Sequence, residues 1–358
     1  MKIAIFLALG DSLTNMAKSG QDVRFKKFYL KKFSQEFEKV YVFSYSKEKV
    51  SGIPKNVILI PNKLKLHRYF YGLFLPFINR KQVQEANVIR AYHLSGTVPA
   101  IISKIFFGKK FIFNFAYDYQ TFAKIENKQS QYLLFKFLQP LAIYFAHKIF
   151  AANKNILKLL PLDKTVYLPN GVDTSIFKPR SKKPKHKAPV ILSVGRLEEQ
   201  KNYENLILAL KGTKAKLKII GNGSLESNLI NLANKYKVNL EIIHKVPNTR
   251  MSKIYNNATL FVLLSKIEGS PKVLMEAMAC GLPVIGTRVE GIEELIINGK
   301  TGILIDKPTP ENVNKTIKKA INNHEFRKKL ASNAIIFTRK HFNLSILLKE
   351  EIKYLKNL

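Results

Sequence analysis

Acidic residues are scarce in this chain. Its 358 residues hold 25 Asp and Glu against 60 Lys and Arg, a formal net charge of +35. No Asp-x-Asp occurs and no two aspartates lie at metal-ligand spacing. Cysteine is limited to Cys280, which excludes an intramolecular disulfide and points to a reducing compartment. No run of 18 apolar residues occurs, so no segment is long enough to span a bilayer. The apolar stretch 1–9 is followed by Asp11 and by no small-residue cleavage site, and reads as a first strand, not a signal peptide.

Lysine is abundant, supplying 50 of the 60 basic residues. A biased coding composition explains that excess as well as a polyanionic partner does, so nucleic acid, an anionic membrane surface and a phosphorylated ligand all stay open. The hydrophobic content of 46% suits a globular fold, and the length suits two domains of about 150 to 200 residues each.

Short apolar runs alternate with longer amphipathic ones. KIAIFLAL, KVYVFSYS, NVILI, NVIRAYH, KKFIFNFAYD, KIFAAN and KTVYLPN read as buried strands in the first half; PVILSVG, KLKIIGNG, NLEIIHK, ATLFVLLS, PVIGT and GILID do so in the second. Continuous apolar strands followed by helical patterns indicate parallel sheets covered on both faces. Helices are expected over 224–237, where Leu225, Leu229, Leu232 and Tyr236 share a face, and from Thr309-Pro310, an N-cap followed by proline at the first helical position. Phe25, Phe28, Tyr29, Phe33 and Phe37 place another over 22–37. Between the two series, KPRSKKPKHKAP (178–189) has the composition of a solvated linker.

Chemistry concentrates in the second series. In KIEGSPKVLMEAMACGLPVIGT (266–287), Glu268 lies in the loop after a strand, Ser270 and Pro271 suit an N-cap and first helical position, and Glu276 lies about a turn and a half into the helix. Ligands in open parallel sheets sit beyond the carboxyl ends of the strands. Two acceptors flanking the backbone N–H groups of a helix start therefore suit a bound nucleotide-sugar, hydroxyls on the carboxylates and diphosphate on the amides. In SVGRLEEQKN (193–202), Gly195 lets backbone approach a ligand, and Arg196 and Lys201 offer two cations for a leaving diphosphate. A capping Glu268, a surface Glu276 and a solvated Lys201 are the bland alternatives.

These segments, with PNGVDTSIFKP (169–179), IIGNGSLESNL, HKVPNTRMSKIYNNATLFVLLS and GIEELIINGKTGILI, resemble the retaining glycosyltransferases of family 4 in order and spacing. The resemblance covers 169 to about 305. It implies an α/β chain of GT-B architecture, two Rossmann-like doubly wound parallel-sheet domains facing across a cleft. The expected parts are an acceptor-binding domain at 1–178, a nucleotide-sugar-binding domain at 179–338, and a helix at 339–358 that crosses back to the first. By the same resemblance Arg196 and Lys201 hold the donor diphosphate, Glu268 meets the transferred sugar and Glu276 the ribose. Gly195, Gly269, Ser270 and Pro271 border the phosphates, and Gly221, Gly223 and Val246, in the turn begun by His244, border the base. The family retains the anomeric configuration and needs neither metal nor other cofactor, and the leaving phosphate itself can take the acceptor's proton.

The amino-terminal half departs from the family pattern. In place of a Gly-Gly loop it has LALGDSLTNMAKSGQD, with Gly20 as the candidate and Gly10 as the alternative. Where many members have a histidine it has NFAYDY, leaving Tyr117 or Asp118 to meet sugar or acceptor, with His93 of RAYHLSG as a neighbouring candidate. KLKLHRYFYGLFLPFINRK (63–81) brackets an apolar segment with bases, and YLLFKFLQPLAIYFAHKIF adds apolar surface, a pattern that suits a membrane interface. The expectation is a cytoplasmic, nucleotide-sugar-dependent hexosyltransferase, peripheral on the inner membrane face, acting on a lipid-linked or glycan acceptor and not on nucleic acid. Three rivals stand beside it: a GT-B nucleotide-sugar epimerase, a basic protein that binds nucleic acid or membrane without catalysis, and an inactive scaffold that keeps the fold, against which the retained Arg196, Lys201, Glu268 and Glu276 speak.

Overall fold

The computed structural model describes residues 1–18, 21–125, 127–181, 187–244 and 246–358. They form two compact units, Met1–Pro169 with Ser345–Leu358, and Asn170–Leu344.

The first unit is built on strands β1 (Lys2–Phe6), β2 (Lys39–Phe43), β3 (Val57–Ile60), β4 (Val88–Ala91), β5 (Lys110–Phe115), β6 (Lys148–Ala151) and β7 (Thr165–Tyr167). All pair in parallel, in the order β3-β2-β1-β4-β5-β6-β7. Every residue of β4 is buried, as a strand covered on both faces requires. One face carries a core of Tyr71, Leu75, Ala100, Leu138 and Ala142 against Phe6, Phe111 and Phe113. The other carries Leu13, Phe25, Phe33, Ile352 and Leu355 against Ile3, Ile5 and Val42.

The last helix, Leu344–Lys356, is fixed to this second face by charge as well as by packing. Arg90 of β4 donates to Glu351 at 2.6 Å, both side chains being almost fully buried. The guanidinium also lies over the rings of Tyr92 and Phe150, 4.6 and 5.2 Å from their centroids.

The second unit repeats the plan with β8 (Val190–Val194), β9 (Lys216–Ile220), β10 (Asn239–Ile243), β11 (Leu260–Leu263), β12 (Val284–Thr287) and β13 (Ile303–Ile305). Their order is β10-β9-β8-β11-β12-β13, again all parallel. In both sheets the order reverses beside the first strand, between β1 and β4 and between β8 and β11. At such switch points the loops leaving adjacent strands part and open a crevice.

Two local expectations change, and part of a third lies outside the described residues. The division between units falls at 169/170, not 178/179, because Val172 and Phe177 are buried in the second core and Val172 N–H donates to Phe342 O at 2.8 Å. Residues 182–186 of the expected linker lie outside the described residues. The helix over 22–37 contains a π turn at Phe25–Leu30, which brings Leu30 into the core and leaves Phe28 only partly buried.

Candidate active site

The loops that leave β8 and β11 lie side by side at the switch point of the second sheet. After β8 the chain passes Gly195 and Arg196 into a 3-10 turn, Glu199–Lys201, which Asn202 closes in the left-handed conformation at φ 54°. This turn sends the Lys201 side chain back over Gly195, where a Cβ would stand 2.9 Å from Lys201 Cε. A side chain at position 195 would therefore have to displace the Lys201 side chain or crowd the Tyr203 hydroxyl, 3.1 Å from such a Cβ.

Lys201 Nζ forms an ion pair with Glu268 Oε1, the two side chains 11% and 10% exposed. The same carboxylate oxygen accepts from Ser265 Oγ at 2.7 Å. Gln200 couples the two loops, its Nε2 donating to Ile267 O at 2.8 Å while its Oε1 accepts from Arg196 Nη2 at 3.2 Å. Burying both charges is sustainable only because each neutralises the other. A ligand that took Lys201 for an anionic group would release the Glu268 carboxylate to accept hydroxyls, so the pair presents a cation and an acceptor in one place.

The loop leaving β9 supplies the third wall. Gly221 N–H donates to Ile243 O at 3.0 Å, and Leu197 N–H to Asn222 O at 2.9 Å. A Cβ on Gly221 would overlap the carbonyl oxygen of Gly195, and one on Gly223 would stand 2.7 Å from Leu197 N. His244 is largely exposed and turned to Glu226, 2.6 Å away; Val246 is half-buried against the core, and Lys245 lies outside the described residues.

Gly269 is packed against Gly291, where a Cβ would meet Gly269 C at 2.6 Å. The following helix is Lys272–Ala279. Pro271, with extended ψ of 104°, stands at its N-cap and not at its first helical position, so Ser270 is not the cap. The Ser270 carbonyl instead accepts from Asn170 Nδ2 at 3.3 Å.

Glu276 is buried, not a surface residue, and its Oε2 accepts from Tyr255 at 3.0 Å. Burial, then the Glu276 carboxylate, push the Tyr255 phenol well above its usual range, which keeps it a neutral donor. Ser265, Gln200, Tyr255 and Asn170 escaped sequence reasoning. Gln200 and Ser265 carried a local signal, in their spacings of four from Arg196 and three from Glu268.

In the first unit the carboxyl ends of β4 and β5 bring His93 and the 117–119 segment together. His93 adopts φ 59°, its N–H donates to Asn114 Oδ1 at 3.0 Å, and its Nδ1 lies 3.3 Å from the Tyr119 hydroxyl. The Tyr117 and Tyr119 ring centroids are 4.4 Å apart. Asp118 caps the helix Tyr119–Ile125, accepting from Gln120 N at 3.1 Å. Gly10, at φ 83°, lies over Arg68, and Gly20 lies outside the described residues. No three of His, Cys, Asp and Glu cluster at metal-binding distances among the described residues.

Against this geometry, the likeness of HepE of Anabaena, solved in complex with UDP-glucose, is one of fold. It matches with a TM-score of 0.76 and 17% identity over 100% of both chains. The two doubly wound parallel-sheet units are those of GT-B glycosyltransferase structures. Residues 175–337, within the second unit, match the family model of glycosyl transferases group 1. A glycosyltransferase of Methanocaldococcus jannaschii is 34% identical over 150 residues, 42% of this chain and 43% of that protein. The capsular polysaccharide biosynthesis glycosyltransferase CapM of Staphylococcus aureus is 27% identical over 222 residues, 57% of each. The chain thus spans about half the length of the curated relatives it matches.

Proposed function

We propose that the chain is a retaining glycosyltransferase of family 4 that moves a hexosyl group from a nucleotide-sugar to a lipid-linked or surface-glycan acceptor, without a metal ion. The observation that carries this reading is the Lys201–Glu268 pair, beside Arg196, at the ends of the two strands flanking the switch point. The UDP-glucose bound to HepE and the polysaccharide role in CapM's name support the donor and acceptor classes.

In this account the second unit binds the donor and the first binds the acceptor. The donor diphosphate draws Lys201 from Glu268 and is held by Arg196, Lys201 and the amides near Gly269 and the start of helix Lys272–Ala279. Glu268 then accepts from hydroxyls of the sugar, and Glu276, oriented by Tyr255, accepts from the ribose. Gly221, Gly223 and Val246 border the base.

The bond between the anomeric carbon and the diphosphate oxygen breaks with its electron pair on that oxygen, whose charge the two cations stabilise. The acceptor oxygen bonds to the anomeric carbon on the same face, and its proton passes to the departing phosphate oxygen. His93, Tyr117 and Asp118 lie near the acceptor, and the enzyme works at the cytoplasmic face of the membrane. Replacing Arg196 or Lys201 by alanine tests the account. Each change lowers turnover per folded molecule by about 10²-fold or more, and the Lys201 change also costs stability because it leaves the buried Glu268 without its cation; parental turnover in both removes the assignment.

A further inference from the structure

Helix Arg68–Ile78 of the first unit is apolar on both sides. Tyr71 and Leu75 enter the core and Gly72 is packed against Leu9. The opposite side consists of Tyr69, Phe70, Leu73, Phe74, Phe77 and Ile78, all exposed, Phe70 by 61% and Phe74 by 51%. A helix apolar all round is ordinarily buried all round.

The surface continues beyond this helix. It packs against helix Thr97–Phe107, which in turn packs against Gln129–Phe145. Phe106 is 63% exposed, and Phe77 lies between Phe106 and Phe107 at 5.1 and 5.7 Å. Along Gln129–Phe145, Leu133, Leu134, Phe137, Leu141 and Tyr144 form an outer stripe, with Phe137 70% exposed. Scattered exposed apolar residues are normal, but three neighbouring helices with apolar outer faces are not.

The charge around this face is predominantly positive. Between residues 49 and 162 the sequence has 17 Lys and Arg against three acids, Glu85, Asp118 and Glu126. Glu85 is occupied by Lys2 and Tyr41, and Asp118 caps its helix. Lys63, Lys65, Arg68, Arg80 and Lys81 flank the first helix, and Lys136 lies on the third, all exposed. None of the described helices is long and apolar enough to cross a membrane.

We infer that this three-helix face inserts into the interfacial layer of an anionic bilayer, with Phe70, Phe74, Phe106 and Phe137 below the headgroups and the flanking lysines and arginines on lipid phosphates. The inference deepens the membrane-surface reading given above and rests on it. A bilayer suits the face better than a second basic copy does, because two such surfaces would oppose like charges.

The test measures co-sedimentation of the full chain with phosphatidylglycerol vesicles and with phosphatidylcholine vesicles, for the parent, for Phe74→Ser with Phe137→Ser, and for Lys81→Glu with Lys136→Glu. The parent is expected to bind the anionic vesicles preferentially, and each removed phenylalanine to weaken partitioning about tenfold. The charge-reversed variant is expected to bind them weakly. These side chains are exposed, so all variants keep the parental circular dichroism and melting.

Equal binding to both vesicle types, binding indifferent to the phenylalanines, or no binding overturns the inference. So does concentration-dependent self-association of the parent that the phenylalanine changes abolish without any vesicle binding. Nucleotide-sugar binding, followed in parallel by thermal stabilisation, reads the second unit. Its failure beside intact vesicle binding removes the transferase reading and leaves the face; the reverse pattern removes the face alone.

Discussion

Gly221→Ala concentrates the geometry of the site in one methyl group. The added Cβ would overlap the Gly195 carbonyl oxygen and stand 2.9 Å from Gly195 C. The obstacle is backbone, so no rotamer change relieves it. The two loops are also tied together by Gly195 N–H to Ile220 O at 3.0 Å and Leu197 N–H to Asn222 O at 2.9 Å. Separation by about 1 Å strains these bonds, and overpacking of this kind costs about 1 to 3 kcal/mol. The displaced loop carries Arg196 and is crossed by Lys201, and a misplacement of about 1 Å at a reacting group costs about 10²-fold in rate. Urea unfolding and sugar transfer measured on the same preparation should therefore show a modest stability loss beside a large loss of turnover. Parental turnover and stability would refute the packing argument.

Glu351→Ala leaves the Arg90 guanidinium buried without its carboxylate, so denaturant unfolding should show a loss of about 3 to 5 kcal/mol, whereas Arg90→Leu with Glu351→Leu should lose far less. His147 is partly buried and faces Lys104, Lys110 and Lys164, which together lower its pKa below 6.5. Its neutral form belongs to the native state, so its contribution is present above 6.5 and is lost as the pH falls through the folded value. His147→Gln should accordingly flatten the decline in melting temperature between about pH 7 and about pH 5.

Strands and their parallel pairing were legible because continuous apolar runs ending in Gly, Asn or Ser have few other uses. All thirteen runs singled out became strands. That Arg196, Lys201 and Glu268 come together was legible for a related reason, since each lies in a loop that leaves a strand end, where topology gathers loops.

Partners drawn from distant segments were not legible. Tyr255 reaches Glu276 from a neighbouring helix, and Arg90 meets Glu351 across 261 positions, with no local spacing to announce either. Backbone detail was also hidden. The N-cap at Pro271 moves an expected helix start by one residue, and the π turn at Phe25–Leu30 changes which side chains of the 22–37 helix reach the core, according to packing that composition does not encode. The unit boundary followed Val172 and Phe177 and not the lysine-rich segment, because buried side chains outweigh linker composition.

Thermal stabilisation of the chain across a panel of nucleotide-sugars and free nucleotides, repeated with Glu276→Ala, tests the central claim most directly. One nucleotide-sugar is predicted to stabilise the parent by about 2.7 kcal/mol at a hundredfold excess over Kd, and Glu276→Ala is predicted to lose most of that gain relative to its own ligand-free melting. No stabilisation by any nucleotide-sugar, together with tight and salt-sensitive binding to nucleic acid, would contradict the account.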